Sequence, residues 1–155
     1  MGIGTSLRDV AVRLLVERPA ARHSVEEWSD TLDRSGAHLG MLLAALEDTA
    51  ANRRQLRHII GLERWGQRRL RVALGEPAIA DEMDGYQPPE ELSVSRLAAE
   101  LAITRKETVE LARCCAATPQ ADQALVPHNQ LGPLSIRGWL RYLNLHANLE
   151  ARRLR

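Results

Sequence analysis

The chain has no phenylalanine, and its aromatic content is 3%, three tryptophans and two tyrosines among 155 residues. It has two cysteines, Cys114 and Cys115, adjacent in sequence and so poorly placed to bridge each other. They read as reduced core residues; on a helix their side chains diverge by about 100°, which disfavours a vicinal redox or soft-metal site. Charge of one sign is not in excess: the formal net charge is +1, so no global field recruits nucleic acid or anionic lipid. Lysine is almost absent, Lys106 being the only one. No stretch reaches the roughly 18 apolar residues of a membrane span, and Met1-Gly-Ile-Gly-Thr-Ser6 lacks the basic patch and apolar run of a secretory leader. Gly2 and Ser6 fit the loose myristoylation pattern, which is too short to carry weight. These absences predict a cytoplasmic chain that engages neither membrane nor nucleic acid.

What remains is 45% hydrophobic and 26% charged, and its length suits one domain over residues 1–155. The apolar residues recur at helical spacing, and no segment alternates as a strand would. After an N-terminal extension, 1–24, in which 6–17 forms a short extra helix or a loosely docked arm stopping at Pro19, four amphipathic segments follow. The first runs from about Val25 to Leu46, with Ser24 as N-cap and Trp28, Leu32, Leu39, Leu42, Leu43 and Leu46 on one stripe.

The second spans about Ala50 to Leu74 and stops at Gly75-Glu-Pro77. Ile59, Leu62, Trp65, Gly66, Leu70 and Ala73 face inward with His58, while Arg53, Arg57, Arg64, Arg68 and Arg71 form an outer stripe. That stripe is expected to be solvated or salt-bridged. Trp65 and Trp139 read as core residues, and Arg69 as an arginine that snorkels to the bundle's end. The third runs from Ser93 to about Ala116, with Arg105 on its inner face, and the fourth starts after Ser135. A long surface loop, 76–91, and a second loop, 118–133, complete the chain. Four such segments predict an all-α, antiparallel four-helix bundle, whose metal sites are built from facing helices.

On the fourth segment Ile136, Trp139, Leu140, Leu143, Ala147 and Leu154 share a face, with His146 and Glu150 inside its arc. A carboxylate on an apolar stripe is costly unless paired, protonated or metal-bound. Residues four apart on a helix are neighbours and can chelate one ion. With His58 on the second segment, His146 and Glu150 make a three-ligand set that leaves positions open, the pattern of a catalytic metal. The competing readings are a metal-free His-Glu hydrogen bond and an Arg105-Glu150 ion pair. Glu63 lies about 140° around the helix from His58 and reads as a partner for a neighbouring helix. His128 reads as a loop hydrogen-bonding residue at the mouth of the site. Leu145 and Leu149 widen the apolar surface of the fourth segment and predict a homodimer.

Two stretches resemble the DinB-like metalloenzyme superfamily. Leu56-Arg-His-Ile-Ile-Gly-Leu-Glu-Arg-Trp65 is similar to its second-helix pattern. His128-Asn-Gln-Leu-Gly-Pro-Leu-Ser-Ile-Arg-Gly-Trp-Leu140 with His146-Ala-Asn-Leu-Glu150 is similar to the approach to its fourth helix and its H-x-x-x-H ligand pair. The resemblance implies a four-helix bundle, His58 and His146 as metal ligands, and Glu150 where the third histidine usually lies. It also implies a divalent ion (zinc, nickel, iron or manganese) and a small-molecule substrate. The function so implied is thiol-dependent S-transfer or isomerisation with a low-molecular-weight thiol such as mycothiol, bacillithiol or glutathione. The alternative is a metal-free helical bundle serving as a binding or stress-response module.

Overall fold

The computed structural model describes residues 6–155; Gly2 and its modification pattern lie outside them. The structure is mostly helical, with one small sheet. A helical run at the N-terminus comprises α1 (Leu7–Val12), a π-helical stretch (Arg13–Glu17) and α2 (Arg18–Ala20). Four long helices follow, α3 (Val25–Leu43), α4 (Ala50–Ala73), α5 (Val94–Ala116) and α7 (Ile136–Ala151). Between the last two lie the short α6 (Pro119–Asp122) and the strands β1 (Leu125–His128) and β2 (Gly132–Ser135).

Each long helix starts where a side chain can take an orphan backbone N–H. Ser24 accepts from Glu27 N while Glu27 returns the bond to Ser24 N, a reciprocal cap of α3. Thr49, Ser93 and Ser135 cap α4, α5 and α7 in the same manner, each through one bond. Helix α3 ends at Leu43, a turn before the predicted stop, and Leu42 is exposed instead of sharing the core stripe. Leu145 and Leu149 are exposed on α7, as their spacing predicts.

The four long helices pack in a closed ring, α3 on α5, α5 on α4, α4 on α7 and α7 on α3, which is compatible with a bundle. Their directions correct the simple antiparallel expectation. Along α4 and α7 the contacts run in opposite order: Asn52 to Arg155, Gln55 to Glu150, His58 to His146. Along α4 and α5 they run in step, from the carboxylate of Asp48 on Val94 N, through Glu63 and Arg105, to Leu70 O and Cys115. Helices α4 and α5 are therefore parallel neighbours. A parallel pair needs a connection that returns the length of a helix, which accounts for the long segment 74–93.

The all-α expectation is corrected by the hairpin β1–β2, antiparallel with Val126 opposite Leu134 and His128 opposite Gly132. Gly132 has φ +81°, the left-handed conformation that closes the turn without a Cβ penalty. Val126 and Leu134 are buried, and Trp139 Nε1 donates to Val126 O at 3.0 Å, so the hairpin is fastened to the first turn of α7.

The N-terminal run passes through Pro19 instead of stopping there, and it is docked, not loose. Proline has no N–H to give the carbonyl four residues earlier. That carbonyl, Leu15 O, accepts from Arg141 Nε on α7 at 3.2 Å. Glu17 accepts from Ser135 N at 3.0 Å and Ser135 Oγ at 2.7 Å, joining the run to the cap of α7.

The core falls into two apolar clusters. One contains Trp28, Leu32, Leu70, Ala112, Ile136 and Trp139; the other contains Leu39, Leu56, Ile59, Ile60, Leu97 and Leu101. Between them in sequence along α4 and α5 comes a buried polar layer of Glu63, Gln67, Thr104, Arg105 and Thr108. Arg105 Nη2 donates to Glu63 Oε2 at 2.9 Å, Thr108 Oγ1 donates to Glu63 Oε1 at 2.9 Å, and Gln67 Nε2 donates to Thr104 O at 2.7 Å. Arg105 Nε lies 2.7 Å from Glu63 Oε1, in ion-pair contact but without hydrogen-bond alignment. Glu63 is thus the interhelical partner its angle predicts, and Arg105 is committed to it, which overturns the Arg105-Glu150 pairing.

Four of the five arginines in the outer stripe of α4 are salt-bridged: Arg53 to Asp48, Arg57 to Glu90, Arg64 to Glu100 and Arg68 to Glu76. Arg69 does not snorkel. It is 5% exposed, its guanidinium stacks 4.1 Å from the Trp65 ring centroid, and it pairs with Asp81. Asp81 also accepts from the Tyr86 hydroxyl, and these bonds outweigh the upward push of burial and hold its carboxyl below the usual range. Cys115 is buried, and burial pushes its thiol up to about 12, which makes it inert. Cys114 is exposed rather than a core residue. Among the described residues no helix is long and apolar enough to cross a membrane.

Candidate metal centre

Helices α4 and α7 bring His58, His146 and Glu150 together. Their approach is set at Gly66, where a Cβ would stand 2.4 Å from the Leu143 side chain. With only hydrogen there, Leu143 seats against the α4 backbone, and the same α7 segment carries His146 one turn on.

The two imidazoles meet through Nε2 atoms 3.1 Å apart, with ring centroids 5.0 Å apart. One atom from each of His58, His146 and Glu150 can be chosen so that all lie within 4.8 Å of one another. Two nitrogens bound to one ion at about 2.0–2.1 Å lie within about 4 Å of each other; the two histidine Nε2 atoms meet that condition at 3.1 Å, and the Glu150 carboxylate stands near enough to join them with a small side-chain movement. All three residues are half-buried, a shallower position than the core placement that the apolar stripe predicts. Burial, reinforced by the neighbouring His58, pushes the His146 imidazole down to about 4, so at neutral pH it is uncharged and has a lone pair to give.

Glu150 touches neither histidine. It accepts from Gln55 Nε2 at 2.6 Å and from Arg153 Nη1 at 2.9 Å. The His-Glu hydrogen bond named as a competitor is therefore not formed. Gln55 is the residue that sequence reasoning missed: it precedes His58 by three on α4 and so lies on the same side of the helix, which spacing alone could have revealed. His146 Nδ1 is buried without a hydrogen-bond partner, so among the described residues no group anchors the far side of that ring.

The two histidines open onto a cavity of about 280 Å³ lined also by Leu62, Trp65, Met83, His128 and Tyr142. Met83 and Glu82 come from the long segment after α4, which forms the mouth as its length predicts. Tyr142, four residues before His146, is a second lining residue whose spacing could have been used.

His128 is more than a loop residue. It ends β1, is 7% exposed, and its ring stacks on Trp139 with the edges of Trp65 and Tyr142 around it. Nδ1 accepts from the backbone N–H of Gln130 at 3.1 Å and Leu131 at 3.2 Å, which places the proton on Nε2. Burial, with the Arg69 charge adding to it, pushes the ring down to about 4. A histidine depressed in the folded state takes up its proton first in the unfolded chain. The resulting stability is full above the ordinary value near 6.5 and is lost as pH falls to about 4. Chemical denaturation at pH 7 and pH 4 is expected to show the wild type losing about 2–4 kcal/mol more than His128→Gln. Equal losses would contradict the buried neutral ring.

Compared with family models, curated proteins and solved structures, the chain matches none of them significantly.

Proposed function

We propose that the protein is a divalent-metal-dependent enzyme of the DinB-like kind, acting on a small molecule, with His58, His146 and Glu150 holding the ion. The observation that carries this reading is the convergence of three ligand-type side chains from two helices, two of them, His58 and His146, at the wall of a cavity of about 280 Å³. The chemistry such an ion supplies when bound is a lowered pKa of a coordinated thiol or water, giving a nucleophile at neutral pH.

The chain's own groups would do the rest. Gln55 would orient the Glu150 carboxylate, and Leu62, Met83, Tyr142 and Trp65 would give the cavity its apolar and aromatic lining. Two imidazoles and one carboxylate suit zinc, nickel, iron or manganese. Thiol-dependent S-transfer or isomerisation is the reaction class proposed. Its test is an assay of the metal-loaded protein with an aromatic halide and, in turn, mycothiol, bacillithiol and glutathione. Turnover that depends on one thiol, and is lost with a chelator and restored by one of the four ions, is expected. Rates equal to the uncatalysed reaction for every thiol and ion would remove the S-transfer reading.

A metal-free binding module is the second reading, because the His58 and His146 Nε2 atoms can hydrogen-bond each other without an ion. It requires that the protein purified without chelators carry no stoichiometric divalent metal.

A further inference from the structure

The N-terminal helical run presents an apolar side to solvent. Val12 is buried and Val16 half-buried against the bundle, while the residues between and before them are uncovered. Side chains three and four apart are neighbours on a helix, so Leu7, Val10, Ala11, Leu14 and Leu15 make one continuous face. Leu7 is 91% exposed, Leu15 65%, Leu14 46% and Val10 40%. Among the described residues no other helix leaves more than two large aliphatic side chains so exposed, and a concentrated apolar face on a surface marks a site of interaction.

The charges along the run are also unbalanced. Asp9 is held by Ser6 and Arg8, and Glu17 is spent on Ser135. Arg13, Arg18 and Arg22 are exposed and make no salt bridge among the described residues. Arg13 and Arg18 line one surface depression with Val10 and Leu14, so uncompensated arginines border the apolar face. Arg141, whose Nε donates to Leu15 O, adds a further positive charge next to the run. The formal net charge of +1 averages this local excess away.

Such a face suits an occupant that is both apolar and negative. A second copy does not qualify, because two-fold pairing sets a patch against itself and here brings arginines against arginines. A single partner helix covers a narrow seam, whereas at about 100° per residue these five side chains spread over about 140°. A bilayer surface accepts a broad apolar face at the headgroup boundary and offers phosphates to the bordering cations. The run is already folded and fastened to α7 through Glu17 and Arg141, so little ordering opposes binding.

We propose that the run from Leu7 to Arg18 is a membrane-surface contact that lies flat on an anionic lipid bilayer. Leu7, Val10, Leu14 and Leu15 enter the headgroup boundary, and Arg13, Arg18 and Arg22 meet lipid phosphates. This revises the expectation, drawn from net charge, that the chain engages no membrane, and it is independent of the cation site.

The test is flotation of the full chain with phosphatidylcholine vesicles and with vesicles of equal parts phosphatidylcholine and phosphatidylglycerol, a chelator being present so that no divalent ion bridges protein to lipid. Binding to the anionic vesicles is expected, with at least about tenfold less to the neutral ones, since each of the arginines is worth about fivefold at an anionic surface. Raising salt from about 0.1 M to about 1 M shortens the Debye length from about 10 Å to about 3 Å and is expected to release most of the protein. Leu7→Gln combined with Leu14→Gln changes exposed side chains only and is expected to weaken binding by about tenfold or more, while Leu145→Gln, an exposed leucine of α7, leaves it unchanged. Equal binding to both vesicles, or binding that survives the paired leucine change, would overturn the proposal. So would a dimer in sedimentation equilibrium that the paired leucine change dissolves, which gives the face to a second copy. A monomer that ignores anionic vesicles would overturn it as well and leave the face to an acidic protein helix.

Discussion

Glu63→Ala is expected to lower the unfolding free energy by about 3–5 kcal/mol, because it strands the Arg105 guanidinium in the core. Arg105 is 3% exposed and Glu63 1%, and the polar layer they share with Thr108 lies between two apolar clusters. The guanidinium cannot shed its charge, and its other hydrogen bond, Nη1 to Leu32 O, is long at 3.4 Å. For a chain of this size the loss corresponds to a fall in Tm of roughly 10 °C or more. Glu63→Leu combined with Arg105→Met is expected to recover most of it, since replacing both members of a buried pair is far cheaper than removing one. Urea denaturation of the wild type and the two variants checks this. If Glu63→Ala costs less than about 1 kcal/mol, the ion pair is not what closes α4 on α5. Metal affinity is expected to stay unchanged in the double variant, because Glu63 and His58 lie on different sides of α4.

His146→Ala is expected to weaken divalent-metal binding by more than ~100-fold, since it removes a donor where even the groups that orient ligands are worth about 10–100-fold. Gln55→Ala falls in that lower range: it leaves all three ligands in place and frees the Glu150 carboxylate that Gln55 holds at 2.6 Å. Arg153→Ala is expected to do little, since that side chain is 70% exposed and its pull on Glu150 is screened by solvent. Calorimetric zinc titration, with unfolding curves to show that each variant is folded, gives the order His146→Ala, Gln55→Ala, Arg153→Ala. Equal affinities across the three would mean that the ion sits elsewhere.

The parts of this fold that local chemistry decides were readable from the chain. Ser24, Ser93 and Ser135 stand at the N-caps that apolar periodicity predicts, and the stripes of α4 and α7 bury most of the apolar residues assigned to them, Ala73 and Leu154 being half-buried. His58 and His146 meet because both lie on the inward side of their helices at matching heights. Angle around a helix is legible in sequence, but position along the bundle and direction of travel are not. Arg105 was correctly read as inward, yet whether it met Glu150 or Glu63 depended on α5 running parallel to α4, which only the long loop could have suggested. Arg69 was misread for a related reason: its partner Asp81 arrives from the loop, outside any helical period. The hairpin was hidden because its strands are four residues each and carry Pro127 and Pro133 at paired positions, so neither propensity nor alternation marks them. Its effect on the site is large, since it converts His128 from a loop residue into a fixed buried donor.

Whether α4 and α7 share one cation is decided by X-ray anomalous scattering from crystals of protein purified without chelators. A single strong peak, at the absorption edge of the metal found by elemental analysis, is predicted within coordination distance of His58 Nε2, His146 Nε2 and a Glu150 oxygen. A fully occupied lattice with no such peak, and the two Nε2 atoms still in direct contact, would contradict it.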